Sequence, residues 1–288
     1  MADAIAEAYR ASCLAELQAL KPGNVHVLAD GHRHVVADFE RSAEVSAPHV
    51  ARAGARVGAR VRSAVAATAA AVGQNTNLGI VLLAAPLAAA AERPGPLRPA
   101  LAGVLHDLDR ADAADAFAAI RIANPGGLGR TPSHDVRDEP AVTLREAMAE
   151  AAGRDRIARA YVSAYEDLWT IGLPALDDAR RLGLDAPWTA SAVYLAFLSA
   201  FPDTHVARKH GLAHAEAVRE EAQGLRGTLE LGPGARAPLL AFDARLKADG
   251  INPGTSADFT VATLFAAALA AKGAEGPSAA LAGAERPR

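Results

Sequence analysis

Residues 57–91 read VGARVRSAVAATAAAVGQNTNLGIVLLAAPLAAAA, and the fold class turns on them. The flanks, 57–72 and 79–91, are apolar runs dominated by alanine, the strongest helix former, and both read as buried helices. Between them, Gly73-Gln74-Asn75-Thr76-Asn77 sets amide and hydroxyl side chains in an otherwise apolar stretch. Such groups are costly beside buried helices unless they bond internally or to a ligand, so the break is a candidate binding element. The run from 78 to 91 contains Gly79 and Pro86 and is shorter than the roughly 18 residues that a bilayer span needs.

The pattern continues in both directions. Residues 2–20 carry Ile5, Cys13, Leu14, Leu17 and Leu20 at helical spacing before Pro22-Gly23 stops them. Residues 92–99 read as a Pro/Gly loop and 100–123 as one or two helices. Residues 124–140 are a long Gly-, Pro- and Ser-rich connection of a kind uncommon unless functional. Thr143, with Glu146 three positions on, predicts a capping box heading a helix over 143–173. Helices over 175–182, 189–199, 206–224 and 257–271 follow, with Pro202 breaking the chain before Asp203-Thr204-His205. No repeat or linker divides the chain. The expectation is an all-α fold: a single compact multi-helix domain over 1–272, whose polar helix breaks line a nucleotide pocket, and a fraying tail over 273–288.

The 288 residues are 51% hydrophobic, 22% charged and 5% aromatic, which excludes disordered and collagen-like chains. With 30 basic against 33 acidic residues there is no overall field for nucleic acid, although a local anion pocket is compatible with it. A lone Cys13 forms no intrachain disulfide and reads as a small buried hydrophobe. Asp3 and Glu7, with no basic start before an apolar core, predict a cytoplasmic protein without membrane attachment; a homo-oligomer is compatible with the sequence.

Chemistry-bearing residues gather in five places. Lys21-Pro22-Gly23-Asn24-Val25 is a turn able to offer amides and a lysine to an anion, or an ordinary helix stop. Asp30-Gly31-His32-Arg33-His34, leading to Asp38, Phe39 and Ser42, pairs two histidines but reads better as a solvated loop than a metal site. The break at 73–79 is the third. Asp203-Thr204-His205 is the fourth: Asp203 is fully explained as an N-cap, or it holds Mg2+ while Arg208 or Lys209 grips phosphate. His210 and His214 lack the intervening Glu of a zinc-protease helix and read as structural. The fifth, Asn252-Pro253-Gly254-Thr255-Ser256-Ala257-Asp258, is a glycine turn into a helix, suited to anions and equally to capping. P-loop, Rossmann, nucleophile-elbow and cysteine-zinc motifs are absent from the sequence.

Taken in order, these segments resemble the triphosphoribosyl-dephospho-coenzyme A synthase family, which serves prosthetic-group synthesis for citrate lyase and malonate decarboxylase. The resemblance runs from Glu16 through Lys21-Pro22-Gly23-Asn24-Val25, Asp38, residues 73–79, Asp203-Thr204 with Arg208 and Gly211, to Pro253-Gly254 and Ala257-Asp258. It implies an all-helical transferase using Mg2+, in which a ribose hydroxyl of 3'-dephospho-coenzyme A displaces adenine from C1' of ATP while the triphosphate is retained. It further implies Asp38, Asp203 and Asp258 as catalytic residues and Asp203 and Asp258 as Mg2+ ligands. The nucleotide contacts it implies are Lys21, Gly23, Asn75, Thr76, Asn77, Arg208, Gly254 and Ser256. Which carboxylate is base and which holds metal stays open, and the partners are small-molecule nucleotides.

Two departures stand out. Asn77-Leu78 replaces a His-Lys pair of typical members, and Gly31-His32-Arg33-His34 replaces a Gly-Ala-His segment. With Gly127-Leu128-Gly129 and Asp135-Val136, the break at 73–79 resembles a divergent branch from methanogens and methylotrophs. Two further readings are therefore carried: an ATP-using step on a one-carbon carrier precursor such as methanopterin or methanofuran, and a non-catalytic helical nucleotide-binding protein.

Overall fold

The structure, a computed structural model, describes residues 1–29, 35–125 and 135–274. Asp30, the paired histidines His32 and His34, the glycines at 126–129 and the tail from 275 lie outside the described residues. In chain order the helices are α1 (Ala2–Gln18), α2 (Val36–Val50), α3 (Val57–Val72), α4 (Leu78–Ala91), α5 (Leu97–His106), α6 (Arg110–Ala123) and α7 (Leu144–Ala151). Then come α8 (Arg156–Val162), α9 (Leu173–Arg181), α10 (Ala186–Ala200), α11 (Thr204–His210), α12 (Leu212–Thr228), α13 (Arg236–Ala248) and α14 (Gly254–Ala274). Among the described residues there is no strand, only an isolated bridge between His26 and Ala29. The all-α expectation is met.

The core forms two clusters, one built largely by α1 to α6 with α8 and α14, the other by α10 to α13. Helices α10 and α14 contribute to both and so join them. Apolar on every side, α4 buries Ile80 through Ala88 without interruption, as a helix hydrophobic all round must. Helix α14 is long and apolar enough by composition to cross a membrane, but it is packed against α1, α4 and α10 as a core helix.

Pro86 lies inside α4 and has no N–H, so the Leu82 carbonyl loses its partner in the helix. The Tyr161 hydroxyl donates to that carbonyl at 2.7 Å, and the Tyr165 hydroxyl donates to the neighbouring Leu83 carbonyl at 3.0 Å. Reaching both requires a sharp path after α8: Ala164 and Tyr165 take positive φ of 49° and 61°, and a π-helical turn over Leu168–Gly172 follows. The single helix expected over 143–173 is therefore broken twice, into α7, α8 and this turn.

Other expectations are corrected in detail. Gly211, at φ 91°, splits the helix expected over 206–224 into α11 and α12. Helix α5 starts at Leu97, shortening the loop expected to 99, and α14 begins at Gly254 rather than 257. Helix α13 falls in a stretch to which the sequence reading assigned no element. The Thr143–Glu146 capping box is present, with Glu146 N–H donating to the Thr143 hydroxyl at 3.3 Å and Thr143 N–H to the Glu146 carboxylate at 2.8 Å.

Tyr161→Phe strands the Leu82 carbonyl and is expected to lower stability by about 1–3 kcal/mol. Pro86→Ala in the same chain restores a helical donor, so chemical denaturation of the double mutant should show part of that loss recovered.

Candidate functional site

The polar breaks converge on one cavity of about 950 Å³, bordered by the end of α1, residues 73–80, α6, α7 and the starts of α8, α11 and α14. That is the upper end of the roughly 300–1,000 Å³ usual for small-molecule sites. Its frame begins with Asp203, 1% exposed. Oδ1 accepts from the His205 and Val206 N–H groups, capping α11, and Oδ2 accepts from the Ser256 N–H and hydroxyl, both at 2.8 Å, capping α14. Thr204 adds the start of α8: its hydroxyl accepts from Arg156 N–H at 3.2 Å and lies 3.0 Å from the Thr255 hydroxyl.

This changes the roles expected of two residues. All four lone-pair positions of the Asp203 carboxylate are occupied, so it has none for Mg2+ or a substrate proton. Ser256, fully buried, serves Asp203 rather than a nucleotide. Gly254 does line the cavity; a Cβ there would sit 2.8 Å from His205 Nδ1.

The Lys21 turn is also directed inward. Lys21 is fully buried, ion-paired with Glu16 and donating to Asn24 Oδ1 at 3.0 Å. Gly23 has φ 82°, its N–H donates to Asp243 Oδ1 at 2.8 Å, and a Cβ would fall 2.8 Å from Pro253 Cδ. The turn is thus a packing device; what it presents to the cavity is Asn24, bonded at 2.8 Å to Asn252. Asp243 also holds Lys247 at 3.0 Å and lies 3.3 Å from buried His26, so α13 secures the turn from outside.

In the break at 73–77, Asn75 Oδ1 accepts from Leu78 N–H at 3.2 Å, starting α4. Thr76 lies 2.5 Å from Ser42, while Asn77 donates to Thr68 at 3.0 Å and Ser46 at 3.3 Å. These polar side chains are largely satisfied within the fold, although residues 73–80 wall the cavity. Asp38 does not line the cavity; it accepts from Gln74 Nε2 at 2.7 Å.

Asp258 is the sequence-expected carboxylate that does face the cavity. It makes no hydrogen bond among the described residues, and it fits only because position 79 is glycine: a Cβ there would lie 2.0 Å from its Oδ2. Burial pushes its carboxyl well above the usual range, and Asp203, Glu16 and Asp155 push it further, with Arg208 opposing them. Arg208 lines the cavity with its guanidinium 3.8 Å from Asp155, and Lys209 and Arg154 are on the same lining. Among the described residues no cluster of three or more His, Cys, Asp or Glu side chains is arranged to hold a metal ion.

A family model described as ATP:dephospho-CoA triphosphoribosyl transferase matches residues 2–276. The chain belongs to that family. The chain is therefore a transferase, and the family activity is ATP-dependent triphosphoribosyl transfer to dephospho-CoA. It is similar to a crystal structure of a protein from Archaeoglobus fulgidus provisionally named triphosphoribosyl-dephospho-coA synthase. Identity is 26%, the TM-score 0.62, and the match covers 80% of this chain and 97% of the other. No curated protein sequence matches it.

For a triphosphoribosyl transferase the cavity adds Asp155 and Arg154, which the sequence does not single out, and Glu16 and Asn252, which lie in segments it does single out but without a role as contacts. Glu16 had a readable signal, since it is a charge on the buried stripe of α1 beside Cys13 and Leu17. The others are brought in by helix starts whose meeting point local sequence does not encode.

Asp203→Asn turns an NH2 toward groups that themselves donate, so it is expected to cost about 1–3 kcal/mol of stability. An unchanged denaturation midpoint would return Asp203 to a purely chemical role.

Proposed function

We propose that the cavity holds Mg-ATP and 3'-dephospho-coenzyme A together and transfers the triphosphoribosyl group between them with release of adenine. The observation that carries this reading is the composition of a single cavity, whose lining brings together the cations Arg154, Arg208 and Lys209, the carboxylates Glu16, Asp155 and Asp258, and apolar side chains. Arg154, Arg208 and Lys209, all on the cavity lining, suit a triphosphate. Val65, Phe117, Ile120 and Met148 suit the pantetheine arm of the acceptor. Asn75 and Asn252 leave their Nδ2 groups uncommitted to any described residue and suit ribose hydroxyls or the adenine edge. The setting proposed is cytoplasmic.

The donor set suits a metal. Asp155 uses Oδ1 to cap α8, its Oδ2 is 3.8 Å from Arg208 and accepts no hydrogen bond from a described residue, and Asp258 is unbonded among the described residues. Mg2+ takes one or two carboxylates and completes its shell with phosphate and water, so Asp155 and Asp258 would hold it. When bound it neutralises charge on the triphosphate and fixes its orientation. The chain's own contribution is electrostatic: departure of adenine leaves positive charge at C1', which the carboxylates of the cavity stabilise.

Calorimetry should show Mg-ATP binding, and adenine should appear from ATP only with 3'-dephospho-coenzyme A. A protein that binds ATP but accepts only a one-carbon carrier precursor would sink the acceptor assignment. Arg208→Gln is expected to weaken ATP binding by about 1.5–3 kcal/mol, the worth of a charge-assisted contact. Leu78→Lys, which places a cation on the cavity wall, is expected to tighten it, tenfold per about 1.4 kcal/mol. Because Asp258 must lose its proton to bind metal, and its carboxyl titrates above the usual range, Mg2+-dependent ATP affinity should fall as pH is lowered. Titrations with and without Mg2+ across pH check the sign, and Asp258→Asn should abolish the dependence.

A further inference from the structure

We propose that Glu16 is the general base of the transfer and that Lys21 is the positioning residue holding its carboxylate at the cavity wall. The inference rests on the transferase reading above and assigns within it the group that takes the proton from the attacking hydroxyl.

The other carboxylates at or near the cavity have other roles. Asp203 is saturated, Asp38 accepts from Gln74, Asp135 pairs with Arg137, Glu150 is exposed on α7, and Asp155 and Asp258 belong with the metal and triphosphate. Glu16 is 3% exposed and yet lines the cavity. Lys21 occupies Oε1, and Oε2 accepts no hydrogen bond from any described residue. The position of the carboxylate is determined from two directions. Helix α1 carries Glu16 on its buried stripe, and Lys21 is itself held by Asn24, which is bonded to Asn252 at the start of the α14 segment.

A buried ion pair is a poor stabilising device, because desolvation of both charges offsets their attraction. One whose carboxylate borders a cavity is better explained by chemistry than by stability. Burial pushes the Glu16 carboxyl above its ordinary value against the opposing effect of Lys21, which makes the carboxylate a stronger base than an exposed glutamate.

The step balances without an outside reagent. The acceptor hydroxyl oxygen bonds to C1' of ATP as the C1'–N9 bond breaks, and that electron pair leaves with adenine. The hydroxyl proton passes to Glu16 and is returned to the departing adenine, so Glu16 ends ionised. Glutamate serves base and then acid, as carboxylates do in other glycosyl transfers.

The test uses the full chain with Mg2+, ATP and 3'-dephospho-coenzyme A, reading adenine release, ATP affinity and melting temperature. Glu16→Gln keeps the shape of the side chain and a hydrogen-bond acceptor for Lys21. It is expected to lower kcat by roughly 10²–10⁴-fold, the usual worth of a positioned base, with ATP affinity unchanged. Turnover within about tenfold of the parent, a barrier change near 1.4 kcal/mol, would overturn the proposal. Glu16→Ala opens space beside the hydroxyl, and added formate should restore part of its turnover; absence of rescue in a folded variant would also overturn it. Lys21→Met should lose turnover and Lys21→Arg regain it; parental kcat in Lys21→Met would remove Lys21 from the device. If the parent protein binds Mg-ATP but releases no adenine, the transferase reading fails; if the parent turns over and Glu16→Gln does too, only the Glu16 assignment fails.

Discussion

A carboxylate can accept four hydrogen bonds, and Asp203 accepts four from the starts of two helices, α11 and α14. Through Thr204 the same junction takes in α8. Three chain segments distant in sequence thereby start from one point, and Asp155 at the cap of α8, Arg208 on the last turn of the short α11 and Asp258 on α14 are delivered to one cavity. The cost of burying the charge is visible in the carboxyl itself, which burial pushes up against the opposing effect of its donors. Helix starts are a natural means of building an anion site, because each leaves backbone donors that must be met by something.

Much of this was legible. Alanine-rich periodicity identified α3 and α4, the Thr143–Glu146 pair marked α7, and Asp203 was recognisable as a cap before any coordinates. Residues from the segments at 21–25, 73–79, 203–209 and 252–258 do reach the cavity, but sequence does not give the direction of each side chain. Lys21 reads as a phosphate grip because sequence shows a cation after a helix; what sequence does not show is that the ammonium folds back onto Glu16. Asn77 looked exposed to ligand because it interrupts apolar helices, whereas Thr68 and Ser46 from α3 and α2 meet it across the core. Likewise the break at 163–165 carries no glycine or proline, and only the tertiary demand of two tyrosines explains its left-handed backbone.

The cavity is rich in charge although the chain as a whole is near neutral. Glu16 and Asp155 raise the proton affinity of Asp258, while Arg154, Arg208 and Lys209 sit along the same lining. Amide side chains, Asn24, Asn75 and Asn252, stand among them.

Pro86 and the two tyrosines carry a consequence for how this protein changes over time. A proline in a fully buried helix is tolerated only while a hydroxyl from elsewhere serves the carbonyl it orphans, and that hydroxyl is costly to bury if the carbonyl is already served. Neither partner is free to drift alone. Lineages descending from this chain should exchange positions 86 and 161 as a pair or keep both, so covariation between them would record a backbone vacancy rather than a contact between two side chains.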